Sequence, residues 1–292
     1  MAEKLAKPFL KWAGGKTQLL DEIEQRLPQG LSAAEIDTYI EPFVGGGAVF
    51  FYIAQKYNKI ERFYLFDINQ DLVNCYNAIK SDVDSLIDEL RFLETEFLRK
   101  RSGRKDFYYE IRDQFNADRS PAKLIFLNKT CYNGLYRVNR KGEFNVPFGD
   151  YKNPTICNEE NLRSVSTLLQ KAKITCGDFT DSEKYIDNHT FVYFDPPYRP
   201  LSATASFTSY SKNSFSEQDQ IKLAQFCRQI HSRGAKFLLS NSDPKNENQN
   251  DRFFEDHYKE FTIDTVKAAR AINCKASARG QIRELIMTNY QI

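Results

Sequence analysis

The sequence predicts an α/β protein: a doubly wound, Rossmann-like sheet interrupted by an inserted module of helices and a β-hairpin. Three observations carry this reading. "EPFVGGGAVFF" places three glycines between a short strand and an apolar helix. Two apolar runs, "RFYLFD" and "FVYFD", each end in an aspartate, as buried strands do when they reach a ligand at their carboxyl ends. Between those two runs lies a long stretch of helical spacing that closes on an alternating, basic segment.

The elements follow in order. "FLKWAGGKT" near the start ends like a phosphate-binding loop, but that loop needs a glycine at position 10, which is Leu10, and a strand leading into it. Pro8 sits where that strand would run, and proline cannot donate to a ladder. The phosphate-binding-loop reading therefore fails on both counts. Thr38 to Glu41 reads as a strand, followed by the glycine turn and a helix. "RFYLFD" is the next strand, with Asn69 or Asp71 placed to start a helix over Leu72 to Lys80. A third glycine that would complete the dinucleotide fingerprint falls on Phe50, so NAD is disfavoured.

From about Asp82 to Phe126 the spacing of "DVDSLIDELRFLETEFLRK" and its continuation predicts helices. "YNGLYRVNRKGEFNVPFGDY", Tyr132 to Tyr151, predicts a β-hairpin, Tyr136-Val138 against Phe144-Val146 across an Asn139 to Gly142 turn. The α/β rhythm resumes with a helix near Glu159 to Lys171 and the strands "KITCGDF" and "FVYFDPPY". The Ser/Thr-rich stretch "RPLSATASFTSYSKNSFS" predicts a mobile loop. A helix over Glu217 to His231, strand "KFLLSNS", a helix near Asn250 to His257, strand "FTIDTV", a basic loop and strand "RELIMTNY" complete the pattern. The expected organisation is a catalytic domain of residues 1–75 plus 157–292, with an inserted domain at 76–156.

Composition is that of an ordinary globular chain, 41% hydrophobic and 27% charged over 292 residues. No run approaches a membrane span, and "MAEKLAKPFLKW" lacks an apolar signal core, so a cytoplasmic location is expected. Six cysteines show no C-x-x-C spacing, and no metal site or disulfide is expected. Net charge is only +2, but Arg99 to Lys152 holds 13 Lys/Arg and 6 Asp/Glu, a local +7. Such a basic block suits a polyanion, although a solvated helix face has the same composition.

The chemistry concentrates in "DPPY", Asp195 to Tyr198. A carboxylate at a strand exit is followed by two prolines that fix φ and remove two donors, leaving rigid carbonyl oxygens beside an acceptor acid. That cluster suits a planar amine whose lone pair is delocalised into a ring. Hydrogen bonds to both amine hydrogens favour a pyramidal, more nucleophilic nitrogen, and Tyr198 offers a face for the ring to stack on.

"DPPY" with "FVGGG" upstream and a basic insertion between them resembles the Dam-type DNA adenine-N6 methyltransferases. These include restriction-modification enzymes that methylate GATC. The likeness extends over "KWAGGKTQLL", "EPFVGGGAVFF", "FDINQDLVNCYNAIK", "NGLYRVNRKGEFNVPFG", "YFDPPYRPLSATASFTSY", "LLSNS" and "RGQIRELIMTNY", nearly the whole chain. It implies an S-adenosylmethionine methyltransferase sheet with an inserted recognition domain. The catalytic motif is then Asp195, Pro196 and Tyr198. The cofactor set, for S-adenosylmethionine and its product S-adenosylhomocysteine, is Trp12, Lys16, Phe43, Gly45, Gly47, Asp67, Asp178, Phe179 and Asp195. In this set Asp67 matches the ribose-binding acid, Asp178 accepts from the adenine amine, and Lys16 is suited to the methionine carboxylate. Lys11, Tyr132, Leu135, Arg137, Asn139, Pro147 and Tyr151 match the positions that contact double-stranded DNA, with Arg137 on guanine and Tyr132 as a wedge. No membrane and no obligate protein partner are implied. Two rival readings remain at this stage: methylation of an RNA base or amide, and a sequence-specific DNA-binding protein without chemistry.

Overall fold

The computed structural model describes residues 5–199, 215–269 and 281–292. Among these residues seven strands form one mixed sheet in the order β3-β2-β1-β4-β5-β7-β6. They are β1 (Thr38–Glu41), β2 (Arg62–Asp67), β3 (Ala172–Cys176), β4 (Thr190–Phe194), β5 (Lys236–Ser242), β6 (Thr262–Ala269) and β7 (Gln281–Thr288). The expected α/β character is present. β1 pairs in parallel with β2 and β4, and β4 with β5. The doubly wound pattern stops there, because β7 runs antiparallel to both β5 and β6.

The chain divides into two compact units. One comprises Met1–Gly15, Val44–Lys56 and Asp67–Gly177; the other comprises Lys16–Phe43, Tyr57–Phe66 and Asp178–Ile292.

In the second unit, β4 reads Thr-Phe-Val-Tyr-Phe and is buried along its whole length. An unbroken apolar run is the signature of an interior parallel strand covered on both faces. Strand alternation sorts its side chains. Ile40, Val192, Phe194, Phe237, Leu239, Leu285 and Met287 form one apolar core with Leu223, Phe226 and Ile230 of the helix Glu217–Ser232. The opposite face carries buried polar groups: Tyr39 donates to Glu41 at 2.6 Å, and the hydroxyls of Tyr193 and Ser240 lie 3.0 Å apart. That helix starts where expected, on a reciprocal cap between Ser216 and Asp219.

The short helix α1 (Leu20–Glu24) belongs to the second unit, while the first is mainly helical: α2 (Ala48–Lys56), α3 (Gln70–Ser81), α4 (Val83–Arg99), α5 (Arg104–Asp118), α6 (Pro121–Thr130) and α7 (Glu159–Leu169). Asn69 caps α3 by accepting from the Leu72 N–H at 3.1 Å, which decides between the two expected starts. In α4 Leu86, Ile87, Leu90, Leu93 and Phe97 line one buried stripe, as their spacing requires. Ser120 caps α6, with Pro121 in the first turn, where its missing N–H costs nothing.

The predicted hairpin is only half realised. Its turn closes at Asn139 to Gly142, and Gly142 takes φ +82°. The flanks, however, form isolated bridges, Val138 with Phe144 and Cys131 with Phe148. Side chains of α5 satisfy the backbone groups that a ladder would have used. Asn116 bonds both the N–H and the carbonyl of Phe144, and the Tyr108 hydroxyl donates to the Val146 carbonyl at 2.7 Å.

The Ser/Thr-rich loop after "DPPY" and the basic loop before β7 fall outside the described residues, apart from Arg199, Phe215 and Ser216 of the former. No helix among the described residues is long and apolar enough to cross a membrane. The five described cysteines are free thiols.

Candidate functional site

The strand order reverses between β1 and β4, and ligands in open α/β sheets bind beyond the carboxyl ends of strands at such a reversal. β4 ends at Phe194, so Asp195 is the first residue past the strand. Its carboxylate meets the Lys16 ammonium at 2.6 Å and accepts from the Ser240 hydroxyl at 3.4 Å. Lys16 is buried, and Asp195 keeps 19% of its side-chain surface. Burial pushes the Asp195 carboxyl above the ordinary range, while Lys16 and Ser240 oppose the rise. Burial alone would lower the Lys16 ammonium, but Asp195, Tyr198 and Glu284 together outweigh it and lift Lys16 above its ordinary value. The 2.6 Å separation is that of an ammonium against a carboxylate.

Lys16 also reaches Tyr198. Its nitrogen is 3.4 Å from the hydroxyl and 5.0 Å from the ring centroid. Tyr198 remains 40% exposed, an aromatic ring with one end anchored and surface to spare. The hydroxyl donates to Glu284 Oε1 at 2.8 Å. Of the two carbonyls expected to be free after the prolines, that of Pro197 is taken: buried Gln220 donates to it at 2.8 Å, pinning the strand exit.

Phe43 and Phe179 meet at 5.7 Å, and Phe179 lies inside the apolar core, also packed on Phe226. Asp178 caps the turn of helix that follows, accepting from the N–H and the hydroxyl of Thr180. Its carboxylate lies 3.6 Å from Lys222.

In the first unit a second constellation gathers Trp12, Gly45, Gly47 and Asp67. Asp67 Oδ2 accepts from the Gly45 N–H at 3.0 Å and Oδ1 from the Asn69 N–H at 2.9 Å. Burial raises this carboxyl, and those backbone bonds counter the rise. Gly45 and Gly47 both adopt positive φ. A Cβ on Gly47 would stand 2.6 Å from the Tyr76 hydroxyl, and one on Gly45 would stand 3.0 Å from the Trp12 ring. Tyr76 donates to the Gly45 carbonyl at 3.0 Å. The loop is held by tight packing and a carboxylate together. Each Asp67 oxygen retains acceptor capacity suited to sugar hydroxyls.

The residues expected at DNA lie within this same unit. Asn128 is the organiser that sequence reading missed. It bonds the N–H and carbonyl of Lys11 at 2.8 Å each and the Gly134 carbonyl at 2.9 Å. The Lys11 ammonium lies 4.8 Å from the Tyr151 ring centroid. Lys129, also unforeseen, is lowered by burial and by the Lys11 charge, so two cations are crowded together. Tyr132 is 52% exposed, and Leu135 and Pro147 also face solvent. Arg137 is exposed and steadied by Asn145, through its side-chain oxygen at 2.7 Å and carbonyl at 3.1 Å. Asn139 is fully engaged in its turn: its oxygen accepts from the N–H groups of Lys141 and Glu143, and its amide donates to the Glu143 carboxylate.

Glu284 is the residue of the second unit that sequence reading missed. The signal was present as a lone acid inside the apolar strand "IRELIM".

The family model described as D12 class N6 adenine-specific DNA methyltransferase matches residues 12–272. The type II methyltransferase M.MjaIII of Methanocaldococcus jannaschii is 54% identical, over 97% of this chain and 99% of its own. The type II methyltransferase M1.LlaDCHI of Lactococcus lactis subsp. cremoris is 39% identical, and a DNA adenine methylase of Escherichia coli K12 is 36% identical, each over 97% of this chain and 95% of its own. The strand-end aspartate in "DPPY", the glycine turn and these full-length likenesses agree, and the chain belongs to the D12 class of N6 adenine-specific DNA methyltransferases.

Proposed function

We propose that the protein transfers a methyl group from S-adenosylmethionine to N6 of adenine in double-stranded GATC, acting on DNA in the cytoplasm. The observation that carries this is the buried Lys16–Asp195 pair at the end of β4, beside the part-exposed ring of Tyr198.

Asp195 accepts a hydrogen bond from the target amine, and Pro196 belongs to the same rigid acceptor edge. The amine nitrogen is thereby made more nucleophilic. Lys16 keeps Asp195 ionised in spite of its burial. The target base leaves the stack at a cost of a few kcal/mol and stacks on Tyr198. S-adenosylmethionine supplies an electrophilic methyl on a sulfonium. Asp67, with its remaining acceptor capacity, suits the ribose hydroxyls. Trp12, Gly45 and Gly47 shape the loop beside it. Phe43, Asp178 and Phe179 carry cofactor roles by resemblance alone, and the Lys16 role is reassigned from the methionine carboxylate to Asp195.

Residues 76–156 serve as the recognition domain. Lys11 and Lys129 supply positive charge for phosphate, and exposed Tyr132, Leu135 and Pro147, with half-buried Tyr151, supply apolar contacts. Arg137 reads guanine through a fork of donors that Asn145 holds in place. Asn139 serves by holding the turn. The choice of GATC rests on the Dam-type resemblance and on Arg137.

The test is Asp195→Ala. The variant folds and loses methyl transfer from labelled S-adenosylmethionine; near-native transfer would remove Asp195 from the chemistry.

A further inference from the structure

Glu284 is a carboxylate where a strand has little use for one. β7 is paired on both sides, with Glu284 opposite Ser242 of β5 and Val266 of β6, and its side chain is 2% exposed. A buried acid is costly unless it is bonded. Here only Oε1 is, to the Tyr198 hydroxyl; Oε2 has no hydrogen-bond partner among the described residues. An apolar residue would pack this strand at lower cost, so packing does not account for the acid. Its one bond goes to the aromatic ring of "DPPY".

The direction of the bonds is informative. Tyr198 donates its only hydroxyl hydrogen to Glu284, which leaves its oxygen lone pairs toward Lys16, 3.4 Å away. Lys16 in turn holds Asp195 at 2.6 Å. One chain of bonds therefore runs from Glu284 through Tyr198 and Lys16 to the strand-end aspartate. The alternation of β5 and β7 places Glu284 on the sheet face of Ser240, the other partner of Asp195. A tyrosine ring has two soft torsions. The hydroxyl oxygen lies on the axis of the second, so a fixed acceptor there restrains the first and sets where the ring lies.

We propose that Glu284 is the positioning residue for Tyr198, holding in place the ring that receives the target base. This rests on the proposed roles of Asp195 and Tyr198. Glu284 touches no reacting atom. It acts through the tyrosine hydroxyl, and its contribution exists only while that hydroxyl does.

A double-mutant cycle tests this: Glu284→Leu and Glu284→Gln, each alone and combined with Tyr198→Phe. Single-turnover transfer to a GATC duplex is measured, together with the fluorescence of a duplex carrying 2-aminopurine at the target position. Glu284→Leu lowers the transfer rate on the order of tenfold, the size of a lost bond to a charged group, with KM for DNA unchanged. It also alters the emission of the extruded base analogue. Glu284→Gln, which keeps an acceptor oxygen, loses less. In the Tyr198→Phe background neither substitution lowers the rate further. Equal losses in both backgrounds, or no loss in either, overturn the proposal. If Glu284→Leu fails to fold, the Glu284→Gln cycle decides on the same criterion. Asp195→Ala is the control: its activity would sink the underlying reading, whereas its inactivity with an additive cycle would sink the role of Glu284 alone.

Discussion

The Lys16 ammonium and the Asp195 carboxylate form a buried ion pair at 2.6 Å, and each is altered by the other. Burial raises Asp195, and Lys16 is the largest force against that rise. The proposed mechanism uses the carboxylate, so activity is expected to fall as pH drops through the raised value. Lys16→Gln removes the opposing charge, and the acid limb of kcat/KM then moves to higher pH. The same change leaves a buried charge without its partner, at a cost of about 3–5 kcal/mol near neutral pH. That cost shrinks at low pH as Asp195 takes up a proton. Rate profiles and denaturant titrations across pH 5–8 measure both; an acid limb that stays in place would detach Lys16 from Asp195.

The glycine turn makes a second test through stability. Gly47 and Gly142 share a positive φ, but a Cβ on Gly47 meets the Tyr76 hydroxyl at 2.6 Å while one on Gly142 meets nothing within 4 Å. Gly142→Ala therefore loses about 1–2 kcal/mol from backbone strain alone. Gly47→Ala loses more, and Tyr76→Phe in the same chain recovers part of the difference. Equal midpoints in urea for the two alanine variants would show that the turn has room the geometry denies.

Arg137 separates reading from anchoring. Two of its donor nitrogens are occupied by Asn145, and the guanidinium remains exposed. Arg137→Ala loses about 1–3 kcal/mol of preference for GATC over sites altered at the guanine and keeps its need for adenine. Transfer rates on single-substituted duplexes at fixed salt are the measurement. A uniform loss on every duplex, with a smaller salt slope, would make Arg137 a phosphate contact.

The readable parts of this molecule were those encoded locally. An apolar run ending in an acid shows a strand exit, so Asp195 and Asp67 could be found, and three glycines in a row show a turn. Partners brought together by the fold were not readable. Nothing near Lys16 in the chain points to Asp195, and nothing near Asn128 points to the backbone of Lys11. Glu284 left a trace, an acid within an apolar strand, whose meaning appears only when its one bond is seen to reach Tyr198. The hairpin was misjudged because alternation cannot show that Asn116 and Tyr108 would take the backbone bonds a ladder needs. The residue type of Asn139 fits contact with a base and its position fits a turn, and only the fold shows its side chain engaged in the turn.

Adenine-N6 transfer at GATC is tested by the product and by the site together. Purified protein is incubated with labelled S-adenosylmethionine and either a GATC duplex or a duplex of the same composition with the site scrambled, and the digested nucleosides are identified by mass. N6-methyl-2′-deoxyadenosine is expected from the GATC duplex, little from the scrambled one, and none from either with Asp195→Ala. Equal methylation of both duplexes would contradict the sequence choice, and a methyl group on any other base or atom would contradict the chemistry.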